Sequence, residues 1–249
     1  MPKKIKNVDK EILELLYQKK SLTSSELAIL FNYSVPVVRN ICQNIAKKHG
    51  LSYKRGILKH SHSEKFTNME KLLIARKSCS FINDGDTIFI GTGTTTLYMC
   101  QHLYQFTRLT VVTNSIPILT ELLKYPQITT ICVGGVLQHQ DQALVGEFSD
   151  IFIKNFYINK LFLGTEGIDA IRGASRAIIQ KNMAEHNITN LASEIYLLTD
   201  SSKFGKLFTW IWLSIEQIST IITDSNISKE QVLEFKNSNI DLVIVDKQY

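Results

Sequence analysis

Seven short, nearly uninterrupted apolar runs recur between residues 87 and 245, at 87–90, 109–113, 128–133, 160–163, 195–199, 220–223 and 241–245. A strand apolar at almost every position has both faces covered, the condition of a parallel sheet lying between two layers. Stretches with helical spacing separate several of these runs, at 95–103, 116–123, 177–191 and 228–237. Such alternation predicts a doubly wound α/β domain.

The chain leaves its strands through polar turns. These are Gly91-Thr92-Gly93-Thr94-Thr95, Thr113-Asn114-Ser115, Gly134-Gly135, Gly164-Thr165-Glu166-Gly167 and Thr199-Asp200-Ser201-Ser202-Lys203. In a parallel sheet all of them share the carboxyl edge, where α/β folds bind ligands. The first is the most specific. Glycines let backbone approach a ligand, and the free amides and threonine hydroxyls that follow suit an anion such as phosphate. Its lack of a lysine and of a third glycine excludes a P-loop and a dinucleotide fingerprint. Taken singly, each turn also serves as an ordinary strand-to-helix connection. Taken together, they point to a small, polar, phosphorylated ligand, with Lys203 supplying charge and Asn114, Glu166 and Asp200 suited to sugar hydroxyls. No histidine or cysteine stands in these turns, which argues against a nucleophilic triad or a transition-metal site, and no metal or cofactor is expected.

The first sixty residues are different. They hold 12 Lys and Arg against 4 acidic residues, whereas the rest of the chain holds 16 against 19. A basic segment joined to a mildly acidic one fits a domain that meets a polyanion. Helical spacing over 6–19 is followed by a break at Ser21-Leu22-Thr23, a short helix over 25–31 capped by Thr23 or Ser24, and a turn at Asn32-Tyr33. A third helix runs from Ser34 to about residue 48, with Val38, Ile41, Ile45 and Ala46 inward and Gly50 at its end. Two extended pieces around Lys54-Arg55-Gly56 complete a winged helix-turn-helix. The candidate DNA contacts are Ser34, Val37, Arg39 and Asn40 on the third helix and Lys54 and Arg55 on the wing, facing double-stranded operator DNA. A small three-helix protein-interaction domain is the competing reading.

The expected domains are 1–59 for DNA binding, 60–76 for a linker and connecting helix, and 77–249 for the α/β unit. No run of about eighteen apolar residues exists, so no membrane span is expected. Four scattered cysteines suit a reducing cytoplasm. His60 and His62 fit a polar linker better than a metal site. Trp210 and Trp212 fit core packing or a subunit interface better than a ligand box.

With these residues in view, the chain resembles the DeoR family of bacterial transcription regulators over nearly its full length. Residues 23–39 match that family's helix-turn-helix. Glu70-Lys71, Ile74-Ala75, Ile82-Asn83-Asp84-Gly85-Asp86, Gly93-Thr94-Thr95-Thr96, Val112-Thr113-Asn114-Ser115, Gly134-Gly135, Val145-Gly146, 164–169 and 200–205 follow in the family's order. The resemblance implies a winged helix-turn-helix fused to a sensor of the ribose-5-phosphate isomerase and CoA-transferase type. It implies a repressor of carbohydrate or nucleoside use, relieved by a phosphorylated sugar and active as a homo-oligomer, a dimer or tetramer. By that resemblance Gly93, Thr94 and Thr95 bind phosphate, with Asn114, Glu166, Asp200 and Lys203 around the remainder. The chain departs from the family where Ser-x-x-Thr-Ile/Val-Arg-Arg-Asp-Leu becomes Ser34-Val35-Pro36-Val37-Val38-Arg39-Asn40-Ile41-Cys42. It departs again where Gly-Leu-Thr-Thr becomes Gly173-Ala174-Ser175-Arg176 and where Glu166 replaces aspartate. The alternative function is a sugar-phosphate isomerase-like enzyme, with Glu166 or Asp200 as base and Lys203 steadying an enediolate, attached to a nucleic-acid module.

Overall fold

The computed structural model describes residues 8, 11–12, 15–16, 21–49, 51–60, 64–177, 188–236, 238 and 240–246. The chain divides into two compact units, Met1–Asn68 and Met69–Tyr249.

In the first unit, Val8, Ile12 and Leu16 are helical and buried at four-residue spacing. Strand β1 (Leu22–Thr23) leads into the Ser24–Phe31 helix. Thr23 closes a capping box: its hydroxyl accepts from the Glu26 amide at 3.1 Å while its own amide donates to Glu26 at 2.9 Å. Asn32 ends that helix in the left-handed conformation (φ 55°), a position asparagine tolerates, and the Val35–His49 helix follows. Val38, Cys42, Ile45 and Ala46 face inward, so Cys42 takes the inner place that the sequence assigns to Ile41, which is half-buried.

Strands β2 (Leu51–Lys54) and β3 (Ile57–His60) form an antiparallel hairpin, and β3 also pairs with β1. Arg55 (φ 52°) and Gly56 (φ 78°) are both left-handed, which is the type I′ geometry matched to strand twist. Ser24 ties the hairpin to the first helix, through its amide to the Gly56 carbonyl (2.8 Å) and its hydroxyl to that of Tyr53 (2.7 Å). The expected helix stop at Gly50 lies outside the described residues.

In the second unit, seven strands form one sheet: β4 (Thr87–Ile90), β5 (Thr110–Thr113), β6 (Thr129–Cys132), β9 (Ile158–Gly164), β12 (Ala192–Leu198), β14 (Thr220–Asp224) and β15 (Asp241–Val245). Their order is β15-β14-β12-β9-β4-β5-β6, and every pair is parallel. Alternate residues feed two cores. Ile88, Ile90, Phe162, Tyr196, Leu198 and Ile222 face one side, with the Glu64–Ser78, Thr94–Cys100 and Ile116–Leu122 helices. Phe89, Leu161, Leu163, Ile195, Leu197 and Ile221 face the other, with the Glu147–Ile153 and Lys229–Lys236 helices. The five inner strands are thus largely buried on both sides, as expected, whereas the edge strands β6 and β15 are half-buried or exposed along most of their length, because each has a neighbour on one side alone.

Two features go beyond the sequence expectation. A hairpin of β7 (Val136–Gln138) and β8 (Ala143–Val145) precedes the Glu147–Ile153 helix. A small antiparallel sheet, β10 (Gly167–Asp169), β11 (Gly173–Arg176) and β13 (Trp210–Leu213), packs into the second core. Trp212 is almost wholly buried there, as core packing requires. Most of the helix expected over 177–191 lies outside the described residues.

Candidate functional site

The sheet fixes where a ligand can sit. From β4 the chain adds β5 and β6 on one side, then crosses to β9 and adds β12, β14 and β15 on the other. The carboxyl ends of β4 and β9 therefore flank the point where strand order reverses, which in open α/β sheets opens a crevice. A cavity of about 440 Å³ lies there.

Its first wall is the turn after β4. Gly93 adopts φ 151° and ψ 160°, backbone open essentially only to glycine, and a Cβ there would meet Thr96 Oγ1 at 3.1 Å. No threonine side chain caps the Thr94–Cys100 helix. Gly93 itself is the N-cap, without a side-chain hydrogen bond, and the Thr96 hydroxyl donates back to the Gly93 carbonyl at 2.9 Å. Thr94 and Thr95 line the cavity, and the first-turn amides beside them have no intrahelical acceptor.

The opposite wall is the turn after β12. Asp224, buried at the end of β14, accepts from the Ser201 amide (2.7 Å) and hydroxyl (2.9 Å). Asp200 accepts from the Ser202 amide at 3.1 Å. These bonds fix the Ser201–Lys203 turn and hold Lys203 in the cavity wall. Between the two walls, Glu166 accepts from the Ala177 amide at 2.9 Å, and the Thr165 hydroxyl donates to the Gly167 carbonyl at 2.9 Å.

Six of the seven sequence-derived effector residues line this cavity: Gly93, Thr94, Thr95, Glu166, Asp200 and Lys203. Asn114 does not. It is buried beside it, and its amide donates to the Leu144 carbonyl at 3.1 Å, so it anchors β8. Its neighbour Ser115 lines the cavity instead. Sequence reasoning also missed Lys71, Thr199 and Arg176 as lining residues. The Thr199 hydroxyl is buried and meets no hydrogen-bond partner among the described residues. Arg176 carried a signal, since it stands where the chain departs from the family pattern.

In the first unit, Ser34 is exposed just before the Val35–His49 helix, and Val37, Arg39 and Asn40 are exposed on its first turns, on either side of the buried Val38. Lys54 and Arg55 are exposed at the hairpin tip. Among the described residues, no group of three metal-ligating side chains occurs and no helix is long and apolar enough to cross a membrane.

The DeoR C terminal sensor domain matches residues 67–225. An uncharacterized HTH-type transcriptional regulator of Bacillus subtilis (strain 168), YulB, is 28% identical over 251 residues, covering 94% of this chain and 95% of that protein. The lactose phosphotransferase system repressor of Staphylococcus epidermidis is 28% identical over 239 residues, covering 90% and 94%. The HTH-type transcriptional regulator GolR of Listeria innocua is 26% identical over 251 residues, covering 95% and 97%. Among solved structures, ribose 5-phosphate isomerase A from Methanocaldococcus jannaschii aligns with a TM-score of 0.40 at 17% identity, over 54% of this chain and 53% of that one, a likeness too distant to bear on function. With a sensor-domain match over most of its length, the chain belongs to the DeoR family of transcriptional regulators.

Proposed function

We propose that the first unit is a winged helix-turn-helix that binds operator DNA, and that the second unit releases or retains it in response to a phosphorylated sugar. The observation that carries this reading is the cavity at the strand-order reversal. Glycine backbone, threonine hydroxyls and Lys203 converge there with the carboxylates of Glu166 and Asp200. Amides, hydroxyls and an ammonium suit phosphate, and carboxylates suit sugar hydroxyls. The lactose phosphotransferase name of one relative agrees with control of carbohydrate genes. A ligand of this kind changes DNA affinity only through a preference for one state of the regulator.

A thermal-shift series on the full chain, with sugar phosphates and their free sugars, tests the sensor reading. A phosphorylated sugar at about a hundredfold over its Kd stabilises the folded protein by about 2.7 kcal/mol. The melting temperature rises with the phosphate ester and not with the free sugar. Equal shifts with both would remove phosphate from the proposal. The enzyme alternative shares Glu166 and Lys203, and an aldose-phosphate turnover assay separates it: the regulator binds without turnover.

In the first unit, Arg39→Ala lowers specific operator affinity by about tenfold or more and leaves non-specific binding at low salt nearly unchanged, as expected of a base contact. Unchanged operator affinity would displace Arg39 from the reading face. The regulator is also taken to self-associate, with double-stranded operator DNA and a second copy as its partners. Val136, Leu137, Phe148, Ile151 and Phe152 give the second unit an exposed apolar surface that supports this. Sedimentation velocity on Phe148→Glu then shows loss of the oligomer, and a wild-type monomer would refute self-association.

A further inference from the structure

Arg176 is the most constrained cation in the cavity wall. It ends β11, is only 9% exposed, and its guanidinium lies over the buried Trp212 ring at 4.5 Å. Its Nη2 points to the Gly164 carbonyl at 3.4 Å, which sets the guanidinium above the carboxyl end of β9. A stacked guanidinium keeps its fork in one plane, so less freedom is lost when it grips an oxyanion.

The sheet register adds a second group at the same level. Leu198 of β12 pairs with Gly164 of β9, so Thr199 stands one residue past the position whose carbonyl Arg176 approaches. Adjacent strands run about 4.8 Å apart. Thr199 is 2% exposed and lines the cavity, and its buried hydroxyl has no hydrogen-bond partner among the described residues. A buried hydroxyl without a partner is costly unless something fills its valence, and a ligand oxygen here would do so. This pair lies over β9 and β12, while the Gly93–Thr95 turn leaves β4 on the other side of β9.

We infer that Arg176 and Thr199 form a second oxyanion subsite, distinct from the Gly93–Thr95 turn. The effector is then a polyol with an anion at each end: a phosphorylated sugar bearing a second phosphate or a carboxylate. This rests on the sugar-phosphate reading above and narrows its ligand class.

The test is calorimetric titration of the full-length protein with a panel of three- to six-carbon sugar monophosphates, the bisphosphates of the same sugars and the corresponding phosphorylated sugar acids. A two-anion ligand binds about tenfold or more tightly than the monophosphate of its own carbon skeleton. Whether the bisphosphate or the sugar acid wins identifies the second group. Thr199→Val removes a hydroxyl that supports nothing in the fold, and it lowers that preference about threefold or more. Arg176→Lys keeps the charge without the fork or the stack and also lowers it, and Arg176→Met abolishes it. Should Arg176→Met fail to fold, the lysine and valine variants decide. Equal affinity for one- and two-anion ligands, or a preference that survives both Arg176→Lys and Thr199→Val, overturns the subsite and leaves the phosphate reading standing. Binding of no phosphorylated sugar overturns both.

Discussion

Changing Thr94 to valine and Lys203 to methionine together leaves operator binding within about twofold of wild type and weakens the response to the phosphorylated sugar by about a hundredfold. The magnitude follows from two hydrogen bonds to a charged ligand, each contributing about 1.5–3 kcal/mol. Both side chains line the cavity, one on each of its facing walls. Neither supports the fold. Thr94 is exposed, and the Lys203 turn is fixed by Asp200 and Asp224 through Ser201 and Ser202, not by the ammonium. The measurement is operator affinity by fluorescence anisotropy, with and without the effector found by thermal shift. Loss of DNA binding without effector would mean that the pair maintains the folded regulator. A wild-type response would place the phosphate elsewhere.

The distance between what the residues announce and what they hide is instructive in this molecule. The inner strands of the large sheet are legible because burial on both faces demands apolar residues at nearly every position, and 87–90 or 160–163 satisfy no other element so well. The small sheet is not. Gly167-Ile168-Asp169 and Gly173-Ala174-Ser175-Arg176 are too short and too glycine-rich to show alternation, and they are strands by pairing with each other and, for β11, with β13 further along the chain. Trp210-Ile211-Trp212-Leu213 accordingly reads as an aromatic cluster until its partner is known. The carboxyl edge follows from parallel pairing alone, which is why six of the seven candidate effector residues fall in one cavity. Asn114 fails for a local reason. Successive residues at a strand end point to opposite sides, so the choice between Asn114 and Ser115 depends on a register that composition does not encode. Thr199 and Arg176 were hidden for related reasons, one by that same alternation and the other by lying on the unread sheet.

That unread sheet also carries a large expected stability effect of a single substitution. Gly173→Ala lowers the unfolding free energy by about 3 kcal/mol or more, against about 1 kcal/mol for Gly85→Ala. Both glycines are left-handed, with φ of 94° and 98°, so an L side chain is strained at either one. Their surroundings differ. A Cβ at Gly85 meets nothing within 4 Å, whereas at Gly173 it would stand 2.3 Å from the Leu213 carbonyl oxygen and 2.7 Å from the Ile215 amide nitrogen. Those are backbone atoms, which cannot rotate aside as a side chain can, and relief requires β11 and β13 to separate. The separation would uncover Ala174, Trp212 and Leu213 in the second core and take Arg176 off its ring. Urea unfolding of the two variants measures the difference, and ligand titration of Gly173→Ala reads its reach into the cavity. Equal losses at both positions would mean that β13 yields without cost. In that case the strand is held by less than its buried tryptophan suggests.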